Sequence, residues 1–234
     1  MIQGLLINLF ELLAFVFGLI YYQKNKSRET YYLVWFLGIT IFTELFRWYA
    51  YFVDSGFLSF LKDTVFQSNY WVGNSYALLS YLFYINYFKW FLLDKKSIKI
   101  INWLSVIFLI ISISEILFSG GFFHRFMPIS NMAGTLFVFI SIGYFYLELL
   151  KSDQILVVNR SLPFYISVGA LLFHLCTTPV FIYSVYYSNS IDPSFVNLYR
   201  HIIFSTNVLL YSIYIIGFLI CFQTKNLFSF KKNY

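Results

Sequence analysis

The feature that most constrains this chain is a series of seven apolar runs, each about 19–24 residues long, joined by short polar connections. They cover roughly 3–22, 31–53, 70–92, 100–118, 129–150, 162–185 and 199–222. At about 1.5 Å of rise per residue, roughly 20 helical residues cross the hydrocarbon core of a bilayer. The runs are about twice the length of a barrel strand and lack strict alternation, so helices are predicted. Composition agrees: 60% of the 234 residues are apolar and 11% are charged, whereas a soluble domain carries about 25% charged residues. Mean hydropathy is +0.72. The predicted fold class is all-α, a polytopic membrane bundle of seven transmembrane helices forming a single domain over 1–234. A disordered chain, a disulfide scaffold and an ordinary soluble enzyme are excluded.

The net charge of +6 is unevenly distributed. Lys24, Lys26 and Arg28 follow the first run, Lys89, Lys95, Lys96 and Lys99 surround the end of the third, Lys151 and Arg160 follow the fifth, and Lys225, Lys231 and Lys232 lie in the tail. The alternate connections carry Arg47, Lys62, Arg125 and Arg200. By the positive-inside rule this 12-to-4 split predicts an N-terminus outside and a C-terminus in the cytoplasm. The basic excess is topological, with membrane lipid as its partner, and no nucleic-acid motif accompanies it. The first run has no basic n-region, is too long for an h-region and lacks a clear cleavage site, so it reads as a retained helix. The inner connections are about 7–11 residues long, so any output domain is expected on another chain.

The information specific to this chain lies in the polar residues of the runs. A charge at the centre of a membrane helix costs about 2.5–3.5 kcal/mol on insertion scales, so each needs a partner or a wet cavity. The first run carries Glu11, the second Glu44 and Arg47, the third Asn74 and Asn86, the fourth Glu115, the sixth His174, and the seventh Arg200, His201 and Asn207. Glu44 and Arg47 are three apart and share a helix face. On the predicted orientation, the three acids and two arginines fall in the outer half of the bilayer. Two readings follow: a structural network tying the first, second, fourth and seventh helices together, or an outward-facing polar pocket for a small molecule or lipid. His174 reads as a ligand contact or proton relay, or as a histidine hydrogen-bonded across helices where Pro179 frees backbone carbonyls.

The second and sixth runs echo one another. Gly38 precedes Glu44 much as Gly169 precedes His174, which suggests a 3+1+3 arrangement with parallel repeats. The 30 Phe and 21 Tyr read as the bias of an AT-rich genome, and composition does not decide for an aromatic-lined cavity. Cys176 and Cys221 sit in apolar runs and read as small hydrophobes.

Specific chemistries fare poorly. The seventh run contains no Lys, so a retinal Schiff base is excluded. The three His lie on separate elements without HExxH spacing, so no metal site and no cofactor are expected. Gly73-Asn74-Ser75 matches a GxS nucleophile pattern only as a chance string. Every Asp lies at or beyond a run end, which removes an intramembrane aspartyl pair. Prolines inside runs are confined to the sixth, unlike the hinged helices of sugar transporters of the SWEET type. No catalytic residue is assigned.

The acid of FTELF (Glu44), the pattern LPFYISVGALLF (Pro163, Phe164, Gly169) and NVLLYSIYIIGFLICF (Asn207, Tyr211) together resemble a group of bacterial seven-helix integral membrane proteins. That group resembles stand-alone sensor modules without an attached kinase, and it implies no ligand and no catalytic residues. The expectation is a receptor-like or sensory module of a bacterial inner (cytoplasmic) membrane. Its pocket would draw on Glu11, Glu44, Arg47, Asn74, Glu115, His174, Arg200, His201 and Asn207, and a separate cytoplasmic signalling protein would read it. The alternatives are a small transporter or channel, a lipid-modifying enzyme in which Glu and His act as acid and base, and a structural subunit of a membrane complex.

Overall fold

The computed structural model describes residues 2–183 and 193–223. Seven long helices follow one another: α1 (Ile2–Lys24), α2 (Arg28–Arg47), α3 (Tyr70–Tyr87), α4 (Lys95–Ser119), α5 (Pro128–Leu150), α6 (Leu162–Ile182) and α7 (Pro193–Gln223). No strand occurs among the described residues. Short helical turns extend α2 through Ser55 and α3 through Phe91. Six of the helices (all but α3) are long and apolar enough to cross a membrane, and the chain is an integral membrane helical bundle. The exception, α3, has the length of a short span but interrupts its apolar residues with Tyr70, Tyr76, Tyr81, Tyr84, Tyr87, Asn74 and Asn86.

α1, α4 and α7 outrun their apolar runs because backbone hydrogen bonding continues into the interface until a cap ends it. Ser27 caps α2 by accepting from the Thr30 N–H at 3.3 Å. Asp94 caps α4, accepting from Lys96 N at 3.1 Å and Ser97 N at 3.0 Å. Gly120 closes α4 in the left-handed region, at φ +61°, where a side chain would be strained. The final residues of the sixth apolar run, 184–185, the outer connection at 186–192 and the tail lysines Lys225, Lys231 and Lys232 lie outside the described residues.

Packing organises six helices into a ring. α1 packs on α2, α2 on α3, α3 on α5, α5 on α6, α6 on α7, and α7 returns to α1, while α4 lies against α3 and α5. Without a hydrophobic drive between helices in lipid, close approach depends on small residues. Gly134 on α5 is such a point: a Cβ there would lie 2.4 Å from the Tyr81 ring of α3.

The two ends of the ring differ. One gathers Lys24, Arg28, Lys89 and Glu148. Lys24 Nζ donates to the Phe222 carbonyl at 2.5 Å, completing the last turn of α7, and the Arg28 guanidinium lies 4.7 Å from the Trp90 ring centre. The other end holds Arg47, Asn74 and the connections at 56–69 and 120–127. Between them, the half of the ring towards the basic end is filled by aromatic side chains. Phe88, Phe145, Phe218 and Tyr214 are fully buried, and the Tyr84 and Tyr214 hydroxyls meet across the ring at 2.7 Å.

Candidate functional site

Towards the other end the ring opens into a cavity of about 180 Å³ between α2, α3, α5, α6 and α7. The last two turns of α2 bring Glu44 and Arg47 to its wall. Arg47 Nη1 donates to Glu44 Oε1 at 2.8 Å, and the side chains are 33% and 23% exposed respectively. Asn69 anchors this turn by donating to the Arg47 carbonyl at 3.1 Å. The guanidinium lies over Gly73 of α3, where a Cβ would stand 3.8 Å from Cζ. Its Nε–H is buried and has no hydrogen-bond partner among the described residues.

On the facing wall, α6 presents His174. The ring is 3% exposed, stacks on Tyr81 at 5.1 Å between centres and meets Tyr84 edge-on at 5.6 Å. Neither ring nitrogen has a hydrogen-bond partner among the described residues. The expected bond to carbonyls freed by Pro179 is absent there. The Thr177 hydroxyl already donates to Phe173 O at 2.8 Å and the Thr178 hydroxyl to His174 O at 2.5 Å. These hydroxyls cap carbonyls of the turn before Pro179, and the His174 residue lines the cavity. A buried, unsatisfied polar group is costly, and such a cost persists where another molecule completes the hydrogen bonding.

Three asparagines line the same cavity, and each amide nitrogen is occupied by backbone. Asn74 donates to Phe122 O at 2.7 Å and Arg125 O at 2.9 Å, tying α3 to the connection before α5. Asn131 donates to Met127 O at 2.8 Å, and Asn207 to Ile203 O at 2.8 Å. The rest of the wall is aromatic: Tyr76, Tyr81, Phe126, Phe173, Phe181 and Tyr199.

The structure brings together Glu44, Arg47, Asn74, His174 and Asn207. Glu11 sits beside the pair, where α1 meets α2 and α7. It is 3% exposed, in hydrogen-bonding contact with Tyr211, and its Oε2 has no partner among the described residues. Glu115 is drawn elsewhere: it accepts from Ile129 N at 3.1 Å, Ser130 N at 2.6 Å and Ser130 Oγ at 2.5 Å. It therefore caps the start of α5, where a carboxylate also meets the positive end of the helix dipole. Arg200 and His201 are exposed on α7 and are not among the lining residues. The shared stratum of three acids and two arginines thus resolves into one ion pair with a neighbouring acid, one helix cap and one exposed arginine.

No hydrogen bond joins His174 to Glu11 or Glu44, since both imidazole nitrogens are unpartnered among the described residues. Ser75 is exposed, with its hydroxyl on Trp71 O at 2.8 Å. No cluster of metal-ligating side chains occurs among the described residues. Asn131, Ser80 and the aromatic wall were not singled out in the sequence. Asn131 stands in an ordinary first-turn position after Pro128, and the aromatics are hidden among many others. Compared with protein-family models, curated proteins and solved structures, the chain matches none.

Proposed function

We propose that this chain is a receptor-like, sensory module of a bacterial cytoplasmic membrane, in which the cavity beside Glu44 and Arg47 binds a small molecule or lipid. The observation that carries this reading is His174: a buried imidazole whose two nitrogens are unpartnered among the described residues, in a side chain that lines a polar and aromatic cavity. A purely structural network would pair these groups with one another, as Glu115 is paired with the start of α5. A conduit is the weaker reading. About 15 Å along α3 from Asn74, at 1.5 Å per residue, the ring is filled by Tyr84 and Tyr214.

In this reading α3 is a seventh span. Its tyrosines and asparagines face other helices: Asn74, Tyr81, Tyr84 and Tyr87 are buried, so a low hydropathy does not count against a bilayer position. The positive-inside rule then directs the end bearing Lys24, Arg28 and Lys95 to the cytoplasm and the cavity outward. A separate cytoplasmic signalling protein would contact the basic end, as expected of a stand-alone sensor module.

The test is native mass spectrometry of the gently solubilised protein from its own host. A co-purifying small molecule or lipid, lost from Glu44→Gln and Arg47→Ala variants, is the expected result. A protein partner with no small ligand would overturn the pocket and favour a subunit of a complex. Single cysteines placed in 23–30 and 93–99 should resist an impermeant thiol reagent applied to whole cells, and labelling there would overturn the orientation.

A further inference from the structure

The basic end of the bundle carries a second site, separate from the cavity. We infer that the seam between α3 and α4 holds an anionic phospholipid, its phosphate taken by Lys89 and Lys99 and its acyl chain laid along the exposed face of α4. Three observations support this.

The first is how Lys89 is held. A lysine that only snorkels leaves its ammonium to water. The Lys89 ammonium, in the short turn that ends α3, instead donates to Asn86 Oδ1 at 3.0 Å and to Asn102 Oδ1 of α4 at 2.8 Å. Asn86 is fixed in turn, donating to Leu82 O at 2.9 Å and to Ser105 Oγ at 3.0 Å. The ammonium is thus pinned across the seam by neutral oxygens, and one of its three N–H donors remains. The amide N–H groups of Asn102, an exposed residue, add further donors beside it.

The second is charge. Lys99 precedes Asn102 by three residues, so both lie on one face of α4. Among the described residues neither Lys89 nor Lys99 forms an ion pair. Asp94, the acid nearest to both in sequence, spends its carboxyl oxygens on the Lys96 N–H, the Ser97 N–H and the Ser97 hydroxyl. Two cations therefore flank one polar network without a counter-charge, and the complementary group is an anion with several acceptor oxygens.

The third separates a lipid from a soluble phosphate. The face of α4 that begins with Lys99 and Asn102 continues through Trp103, Val106, Ile110 and Ile113, which are 45–59% exposed. From Trp103 to Ile113 this apolar stripe runs about 15 Å, at 1.5 Å per residue, the depth of one leaflet of a hydrocarbon core about 30 Å thick. Cations at one end, a tryptophan at the level of the interface and a bare apolar stripe beyond it match an amphiphile with an anionic head.

The experiment uses the full chain in detergent, with dioleoyl phosphatidylglycerol, dioleoyl phosphatidylcholine and glycerol 3-phosphate as probes. Bound molecules are counted by native mass spectrometry during titration. Phosphatidylglycerol should bind at least fivefold more tightly than phosphatidylcholine. Lys89→Gln and Lys99→Gln should each weaken it by about fivefold, the effect of one basic residue near a membrane surface. Lys26→Gln, which removes an exposed charge between α1 and α2, should leave it unchanged. If Lys89→Gln fails to fold, Lys99→Gln decides. Equal binding of the two lipids, or an equal loss on Lys26→Gln, would overturn the site and leave only diffuse attraction to the basic end. Glycerol 3-phosphate binding as tightly as phosphatidylglycerol, and lost in the same variants, would overturn the lipid in favour of a soluble phosphate.

Discussion

The two halves of the ring are both rich in aromatic side chains and reach opposite outcomes. Towards the basic end, tyrosine and phenylalanine fill the interior, and hydroxyls of facing helices meet, as Tyr84 and Tyr214 do at 2.7 Å. Towards the N-terminal end, the same ring of helices leaves about 180 Å³ open, and Arg47 Nε and both nitrogens of His174 are without partners among the described residues. Aromatic content does not separate the halves. What separates them is the presence of charged groups and the commitment of amide and hydroxyl donors to nearby backbone. One half is a filled floor, and the other holds a cavity.

The largest effect should come from opening the floor. Tyr214→Ala removes a fully buried ring that a facing helix cannot replace, and should cost about 3–5 kcal/mol, seen as a large fall in melting temperature in detergent. A variant as stable as the parent would show that the floor is not close-packed, and the contrast between the halves would fail. Next comes Glu115→Ala, which strips three hydrogen bonds from the start of α5. It should cost about 2 kcal/mol and leave binding of any co-purifying small molecule unchanged. Altered binding without altered stability would move Glu115 from cap to site.

The Glu44–Arg47 pair should be worth less, because it is partly exposed. A double-mutant cycle with Glu44→Gln and Arg47→Ala should give a coupling of about 1 kcal/mol, with the double variant no less stable than the poorer single one. Strictly additive losses would dissolve the pair.

Much of the fold was legible from the apolar runs, because a helix that must satisfy its backbone in lipid has a length set by the bilayer. The third run shows the limit. Its residues 70–92 read as one more span, yet the helix divides into Tyr70–Tyr87 and a short turn ending at Phe91, and its hydropathy is lowered by tyrosines that other helices cover. Within the site, the sequence singled out Glu44, Arg47 and His174 because charge and imidazole are conspicuous in apolar surroundings. It could not separate Glu115 from them. The partners of that carboxyl group are the N–H groups of a helix start that has no sequence signature beyond Pro128. Nor could it single out Tyr81 among the aromatics of the chain, because its place depends on Gly134 admitting its ring. Choices made by one helix against another are written in three dimensions, and a single run carries only its own half of them.

The smallest effect concerns the basic end, where polar groups face water. The Ser97 hydroxyl, with the Lys96 and Ser97 backbone N–H groups, holds the Asp94 carboxyl below its ordinary value. The folded protein therefore binds this proton less readily than the unfolded chain does. The capping contribution is fully present above the ordinary carboxylate range, and it is lost as pH falls through the lowered folded value. Thermal unfolding of the parent and of Asp94→Ala, followed from neutral pH downward, should give two curves that differ slightly at neutral pH and converge in acid. Convergence requires that Asp94 act through its charge on the first turn of α4. A gap that stays constant with pH would mean that Asp94 supports α4 by geometry alone.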